Sequence, residues 1–171
     1  ESRLRRRPLR MRIVTLTRLG LALVWFLALS ACRPITGPGE EDRLQAARRQ
    51  WATAGLHDYS YEVRSDCFCR QAGRWIEVTV LGDRVIGGHY LDTDTPVEQE
   101  FVGALPSVND LFTRVADAVG AHVVLLQVEY DARDGHPTRI NVDVSHRIAD
   151  EEYMLQSRNL LHLISGLASP R

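Results

Sequence analysis

Two cysteines one residue apart, Cys67 and Cys69, are the first side chains in this sequence that could do chemistry. In an oxidising compartment such a pair is expected to form a disulfide. On an extended strand the two Cα atoms would stand ~6.6 Å apart, at the long limit of disulfide geometry, so closing the bond would kink the chain. A loop of about three residues also removes little unfolded-state entropy, roughly 1.6 kcal/mol before strain. A poor staple leaves three other roles open: thiol redox chemistry, a metal site, or two free buried thiols. Redox work would need an electropositive setting, for which Arg64 and Arg70 are the local candidates. A zinc site would need four ligands, with His57 and His89 as the available additions.

The acidic segment Asp131-Ala132-Arg133-Asp134-Gly135-His136-Pro137 looks at first like a calcium loop, but its oxygen-bearing residues do not fall at alternate positions. It reads as a hairpin turn, because Asp and Gly supply turn conformations and Pro cannot sit inside a central strand. Asp143, Asp150, Glu151 and Glu152 read as a solvated strand end, although they could hold a cation or a basic partner. There is no Gly-x-Ser-x-Gly, no Ser-x-x-Lys and no Lys at all, and no glycine-rich phosphate loop. His57-Asp58 adjacency says nothing of geometry in space. Trp51, Tyr59, Tyr61 and Trp75 are expected in the core and sheet. No catalytic residue, resident metal or dissociable cofactor is therefore expected.

The N-terminal part points to export. Leu19–Leu29 is an uninterrupted apolar run of eleven residues behind Arg12 and Arg18. That suits the apolar core of a signal peptide and falls short of the ~20 residues a spanning helix needs. Leu29-Ser30-Ala31-Cys32 follows and resembles the bacterial lipobox, in which the cysteine receives a thioether-linked diacylglycerol. Residues 1–31 are thus expected to be a signal peptide, with Met11 well placed as the true start, and Cys32 to be lipidated. Two or more acyl chains anchor stably where one does not. Residues 32–40, with two Pro and two Gly, read as a linker whose eight positions after Cys32 reach ~28 Å when extended. The expected location is the bacterial cell envelope, on the extracytoplasmic side of a membrane.

The net charge of −1 hides an asymmetry. Seven of the 21 basic residues and one acid precede Cys32, which leaves 14 basic against 21 acidic residues after it. A basic footprint for nucleic acid is missing from that part. The expected partners are the membrane, through the lipid, and an envelope protein or ligand of unknown kind.

Residues 41–171 are expected to form one domain, about 130 residues being the usual size of a single core. Leu44, Ala47, Trp51 and Ala54 recur at helical spacing between the acids Glu40, Glu41 and Asp42 and the stop Gly55. Tyr59, Tyr61 and Val63 alternate as in a half-buried strand, and Ile76, Val78 and Val80 lead through Gly82-Asp83 into a hairpin. Residues 91–105 read as loop with a short edge strand around Phe101. Ser107 and Asp110 open a second helix with the stripe Val108, Leu111, Phe112, Val115 and Val119. Two alternating runs, Val124 to Tyr130 and Ile140 to Val144, make a second hairpin. Tyr153 and Leu155 suggest a last strand, and Leu160, Leu161, Ile164 and Leu167 a short C-terminal helix. The expected fold class is α+β: an antiparallel sheet with two main helices packed on one face.

Taken together, Tyr130-Asp131, Gly135, Pro137, Ile140 and Asp143, with Asp150-Glu151-Glu152 and Tyr153, resemble a bacterial family catalogued as domain-of-unknown-function family 6174. Trp51, Tyr59-Ser60-Tyr61, Cys67-Phe68-Cys69 and the helix beginning Leu111-Phe112 carry the same resemblance at the front. His136 departs from it, standing where an aromatic residue is expected. The resemblance implies a small exported lipoprotein and no activity. The reading that follows is a non-enzymatic binding or scaffolding domain, with thiol redox or metal handling through Cys67 and Cys69 as the alternative.

Overall fold

The structure, a computed structural model, describes residues 39–66, 71–144 and 152–163. The chain enters through helix α1, Glu40–Ala54, whose first turn carries Glu40, Glu41 and Asp42 against the positive end of the helix dipole. It ends at Gly55 in the left-handed conformation, where the Gly55 N–H donates to the Trp51 carbonyl. Strands β1 (Tyr59–Asp66), β2 (Trp75–Leu81), β3 (Arg84–Tyr90) and β4 (Thr95–Pro96) follow. Gly82 and Asp83 both take positive φ, as a type I′ turn between β2 and β3 requires. A single helical turn, α2 (Gln99–Val102), precedes α3 (Val108–Gly120). Helix α3 begins in a complete capping box: the Ser107 hydroxyl accepts from the Asp110 N–H, and the Asp110 carboxylate accepts from the Ser107 N–H. Strands β5 (Leu125–Tyr130), β6 (Pro137–Asp143) and β7 (Tyr153–His162) complete one sheet in the order β4-β3-β2-β1-β7-β6-β5.

The expected α+β class, with two main helices packed on one face and a short C-terminal helix, is corrected here. The protein is a β-rich fold, mostly one seven-stranded antiparallel sheet with few helices. Two misread segments account for part of the difference. Leu160 and Leu161, expected in a helix, belong to β7, the longest strand; Ile164 and Leu167 lie outside the described residues. Strand β1 stands in the middle of the sheet, and its second edge would expose unpaired N–H and C=O groups without a neighbour. Pairing of Ser60 with Leu161 and Tyr59 with His162 supplies one and overrides the helical spacing of the leucines. The edge strand expected near Phe101 is Thr95–Pro96 instead, while Phe101 lies in α2. Pro96 fits an edge, because it has no N–H to give to a further strand.

The order of strands joins two meanders, β1–β4 and β5–β7, through the β1–β7 pair. Leu44, Ala47 and Trp51 of α1 and Val108, Leu111, Phe112 and Val115 of α3 share one buried cluster with Tyr59, Tyr61, Val78, Ile140 and Leu155 of the sheet. Its aromatic centre is Trp51, set edge-on to Tyr59 at 5.4 Å between centroids. Both buried tyrosines fasten the start of α3: the Tyr59 hydroxyl accepts from the Val108 N–H at 3.0 Å, and the Tyr61 hydroxyl donates to the Pro106 carbonyl. Burial, only partly offset by the Val108 N–H, pushes the Tyr59 phenol up to about 12.

Candidate functional site

Two places in the fold gather polar side chains against the core. The first is the turn between β5 and β6. Asp131 opens it by accepting the N–H of Arg133 at 2.7 Å and of Asp134 at 3.4 Å on one carboxylate oxygen. The Asp131 N–H donates to the His136 carbonyl and the Gly135 N–H to the Asp131 carbonyl, which closes the loop. Burial would raise the Asp131 carboxyl, but the Arg133 N–H, the electrostatic effect of the His136 imidazole and the Asp134 N–H outweigh it and hold it below the usual carboxylate range. Gly135 sits at φ +82, and a Cβ there would fall 2.5 Å from the Ala47 carbonyl oxygen of α1. Gln50 of α1 reaches across to donate to the Ala132 carbonyl at 2.7 Å. The turn is thereby bolted to the helix.

His136 is 2% exposed and meets Asp134 through Nδ1 at 2.5 Å. Its Nε2 is buried without a hydrogen-bond partner among the described residues. Pro137 is buried beside it, and its carbonyl accepts the Ser157 hydroxyl of β7 at 2.6 Å. Tyr130 donates to Glu40 at the start of α1, with the Arg43 guanidinium 5.7 Å from its ring centre. So Tyr130, Asp131, Gly135 and Pro137 do come together, and Asp143 does not: it ends β6 at the opposite end of the hairpin, paired with Leu125. Asp131, Asp134 and His136 offer ligand atoms within 4.8 Å of one another. The Asp134 oxygen facing the imidazole also accepts the His136 N–H, so these contacts fold the turn. The Asp134–His136 pair was not legible in the sequence; a buried histidine filling the place of an aromatic residue was its only trace.

The second place is a cavity of about 210 Å³ between β1, β2, β7 and the start of α3. Val63 of β1, Ile76 of β2, Leu155 of β7 and Leu105 from the segment before α3 make its apolar walls. Ser65, Gln71, Arg74 and Arg114 supply its polar ones. Arg74 is held in place: Nε and Nη2 bond both oxygens of Asp92 at 2.9 and 2.6 Å, and its guanidinium lies 3.6 Å over the Tyr90 ring. That bidentate contact keeps Asp92 below the usual carboxylate range. The Gln71 amide nitrogen is buried with no hydrogen-bond partner among the described residues. Ala104, Leu105, Pro106 and Arg114 also line an adjoining, more open recess of about 480 Å³ that includes Asp110 and Thr113.

The remaining sequence candidates are dispersed. Cys32, Cys67, Cys69, Arg70, Asp150 and Glu151 lie outside the described residues. His57 faces Asp83 at 2.8 Å and His89 faces Asp94 at 3.5 Å, each in its own exposed side-chain contact. Arg64 is engaged by Asp66, and Trp75 lies under the Arg158 guanidinium at 3.9 Å.

Residues 43–161 match the model of a family of unknown function, DUF6174. The chain belongs to this family. No curated protein and no solved structure matches it. The DUF6174 span runs from inside α1 to the end of β7, so it takes in the β5–β6 turn and the cavity alike. Among the described residues of this DUF6174 chain, no helix is long and apolar enough to cross a membrane.

Proposed function

We propose that this DUF6174 protein is a non-enzymatic binding protein of the bacterial cell envelope, tethered by diacylglycerol on Cys32, which takes a small ligand into the cavity between β1, β2, β7 and α3. The cavity carries this reading. Its volume exceeds the roughly 150 Å³ that suffices for one benzene-sized guest. Its walls are mostly apolar, with a few polar groups among them, the usual make-up of a small-molecule site. Those groups are two guanidinium groups, an amide and a hydroxyl, suited to orienting a ligand; guanidinium does not give up its proton in proteins. Support for the tether is the apolar run Leu19–Leu29 followed by Leu29-Ser30-Ala31-Cys32.

Both halves can be tested on the full chain. Cys32→Ser should abolish incorporation of radiolabelled palmitate and release the protein from the membrane fraction; equal labelling of the variant would refute the tether. Titration with 1-hexanol should shift the backbone amide resonances of Ser65 and Leu105. Ala104→Trp at the exposed mouth should suppress those shifts, and a wild-type spectrum unperturbed by hexanol and by its anionic analogues hexanoate and hexyl phosphate would refute the cavity as a binding site.

A further inference from the structure

We infer that the cavity selects a monocarboxylate carrying a short apolar body, its head group held by Arg114 and the Gln71 amide and its tail against Val63, Ile76 and Leu155. This inference rests on the binding reading above and adds the chemical class of ligand.

Three observations carry it. The first is the unpartnered donor: the Gln71 amide nitrogen is buried at the cavity with no partner among the described residues. A buried donor left unmade is costly, and an acceptor brought in by a ligand recovers that cost. The second is the division of labour between the two arginines. Arg74 lines the cavity but is spent on Asp92, Thr93 and the face of Tyr90. Arg114 lines both the cavity and the recess and has no hydrogen bond or ion pair among the described residues. The obvious acid beside it, Asp110 one helical turn back, is committed to the N–H and hydroxyl of Ser107. One uncommitted guanidinium and one amide match a single charge spread over two oxygens, the geometry of a carboxylate. The third is the surrounding charge. The part of the chain after Cys32 has 14 basic against 21 acidic residues, a field that opposes a dianionic head group and leaves recognition to the local guanidinium.

The size of the apolar part follows from the space. Val63, Ile76 and Leu155 bound a volume of about 210 Å³, enough for one ring or a chain of a few carbons and too little for a full fatty acyl chain.

The test titrates the full chain, in non-ionic detergent, with hexanoate, 1-hexanol and hexyl phosphate, following the amide resonances of Ser65 and Leu105. Hexanoate should bind at least tenfold more tightly than hexanol. Arg114→Gln should weaken hexanoate by about tenfold or more and leave hexanol unchanged, as expected for loss of a charged hydrogen bond. Gln71→Leu should weaken hexanoate by a smaller factor without harming the fold, since it replaces an unpaired buried amide with an apolar group. Equal binding of hexanoate and hexanol overturns the head-group inference while the cavity reading stands. Tighter binding of hexyl phosphate than hexanoate overturns the monoanion. Unchanged hexanoate binding by Arg114→Gln overturns the role given to that residue. Failure of all three ligands to bind overturns the binding reading itself.

Discussion

The β5–β6 turn and the cavity close the same hydrophobic core in opposite ways. At the turn, the Asp131 carboxylate and the backbone groups that shape the loop have partners inside it, and Gly135 touches the backbone of α1. At the cavity, a buried amide has no partner among the described residues, one arginine is uncommitted and about 210 Å³ is left between packed walls; the turn's counterpart is His136 Nε2, likewise unpartnered but closed in, outside that space. Four of the residues that carry the family resemblance, Tyr130, Asp131, Gly135 and Pro137, stand in or beside the turn, and none of them lines the cavity. A dense local motif can therefore report how a fold is locked, while the place able to receive something else is assembled from residues that form no motif.

The widest separation between the two regions is expected at glycine. Gly135→Val puts a β-branched residue at φ +82 and drives its Cβ into the Ala47 carbonyl. A loss of about 3 kcal/mol or more in urea unfolding is expected, enough to unfold a marginal domain. Gly103, beside the cavity, has an ordinary φ of −67 and open space where a Cβ would go. Gly103→Ala should stay within about 0.5 kcal/mol of wild type. Equal unfolding midpoints for the two variants would break the contrast.

A smaller difference is expected for the buried polar groups. His136→Leu removes the imidazole from Asp134 and should cost about 2 kcal/mol, because a mostly buried carboxylate loses its side-chain partner. Gln71→Leu should cost nothing measurable or add stability, since the amide it removes is already unpaired. Thermal melts of the pair decide this; a larger loss for Gln71→Leu would mean that the amide is held by the protein and is not waiting for a ligand.

The smallest effect is one of pH. Asp131 has a folded-state pKa below its unfolded value of about 3.9. Its charge therefore adds stability above that pH and loses the contribution as pH falls through the lower folded value. Solvent at the turn screens the effect to roughly 0.5 kcal/mol. Asp131→Asn should be slightly less stable than wild type at pH 6, and the gap should close as pH falls through the lowered folded-state pKa of Asp131. A gap of equal size at both pH values would show that the hydrogen-bond geometry, and not the charge, is what Asp131 supplies.

Much of the fold was legible wherever a local rule has one outcome. Ser107 and Asp110 three residues apart, ahead of a 3.6-residue apolar stripe, mark the start of α3 because orphan N–H groups need acceptors there. Gly82-Asp83 between alternating runs marks the β2–β3 hairpin, because both positions need positive φ. Tyr153–His162 was only half legible. Its alternation is broken at Asn159, which takes positive φ near the irregularity where β7 pairs with Ser60 and Glu62, and the leucines after it mimic a helix. The cavity was not legible, since Val63, Ile76, Leu105, Arg114 and Leu155 come from five separate segments and none carries a local signal of what it will face.

By itself the sequence determined the apolar run with its cysteine, the acidic balance after it, the two main helix starts, the β2–β3 turn and the family, all of which depend on composition or on spacing within a few residues. Tertiary structure alone decided that the protein is a β-rich sheet, that β1 draws the leucines near the C-terminus into a strand, that His136 is buried against Asp134, and that a space remains beside Gln71 and Arg114. The reason is common to all four. Each depends on which distant segments share a surface, and hydrogen-bond pairing and close packing settle that only when the whole sheet is assembled.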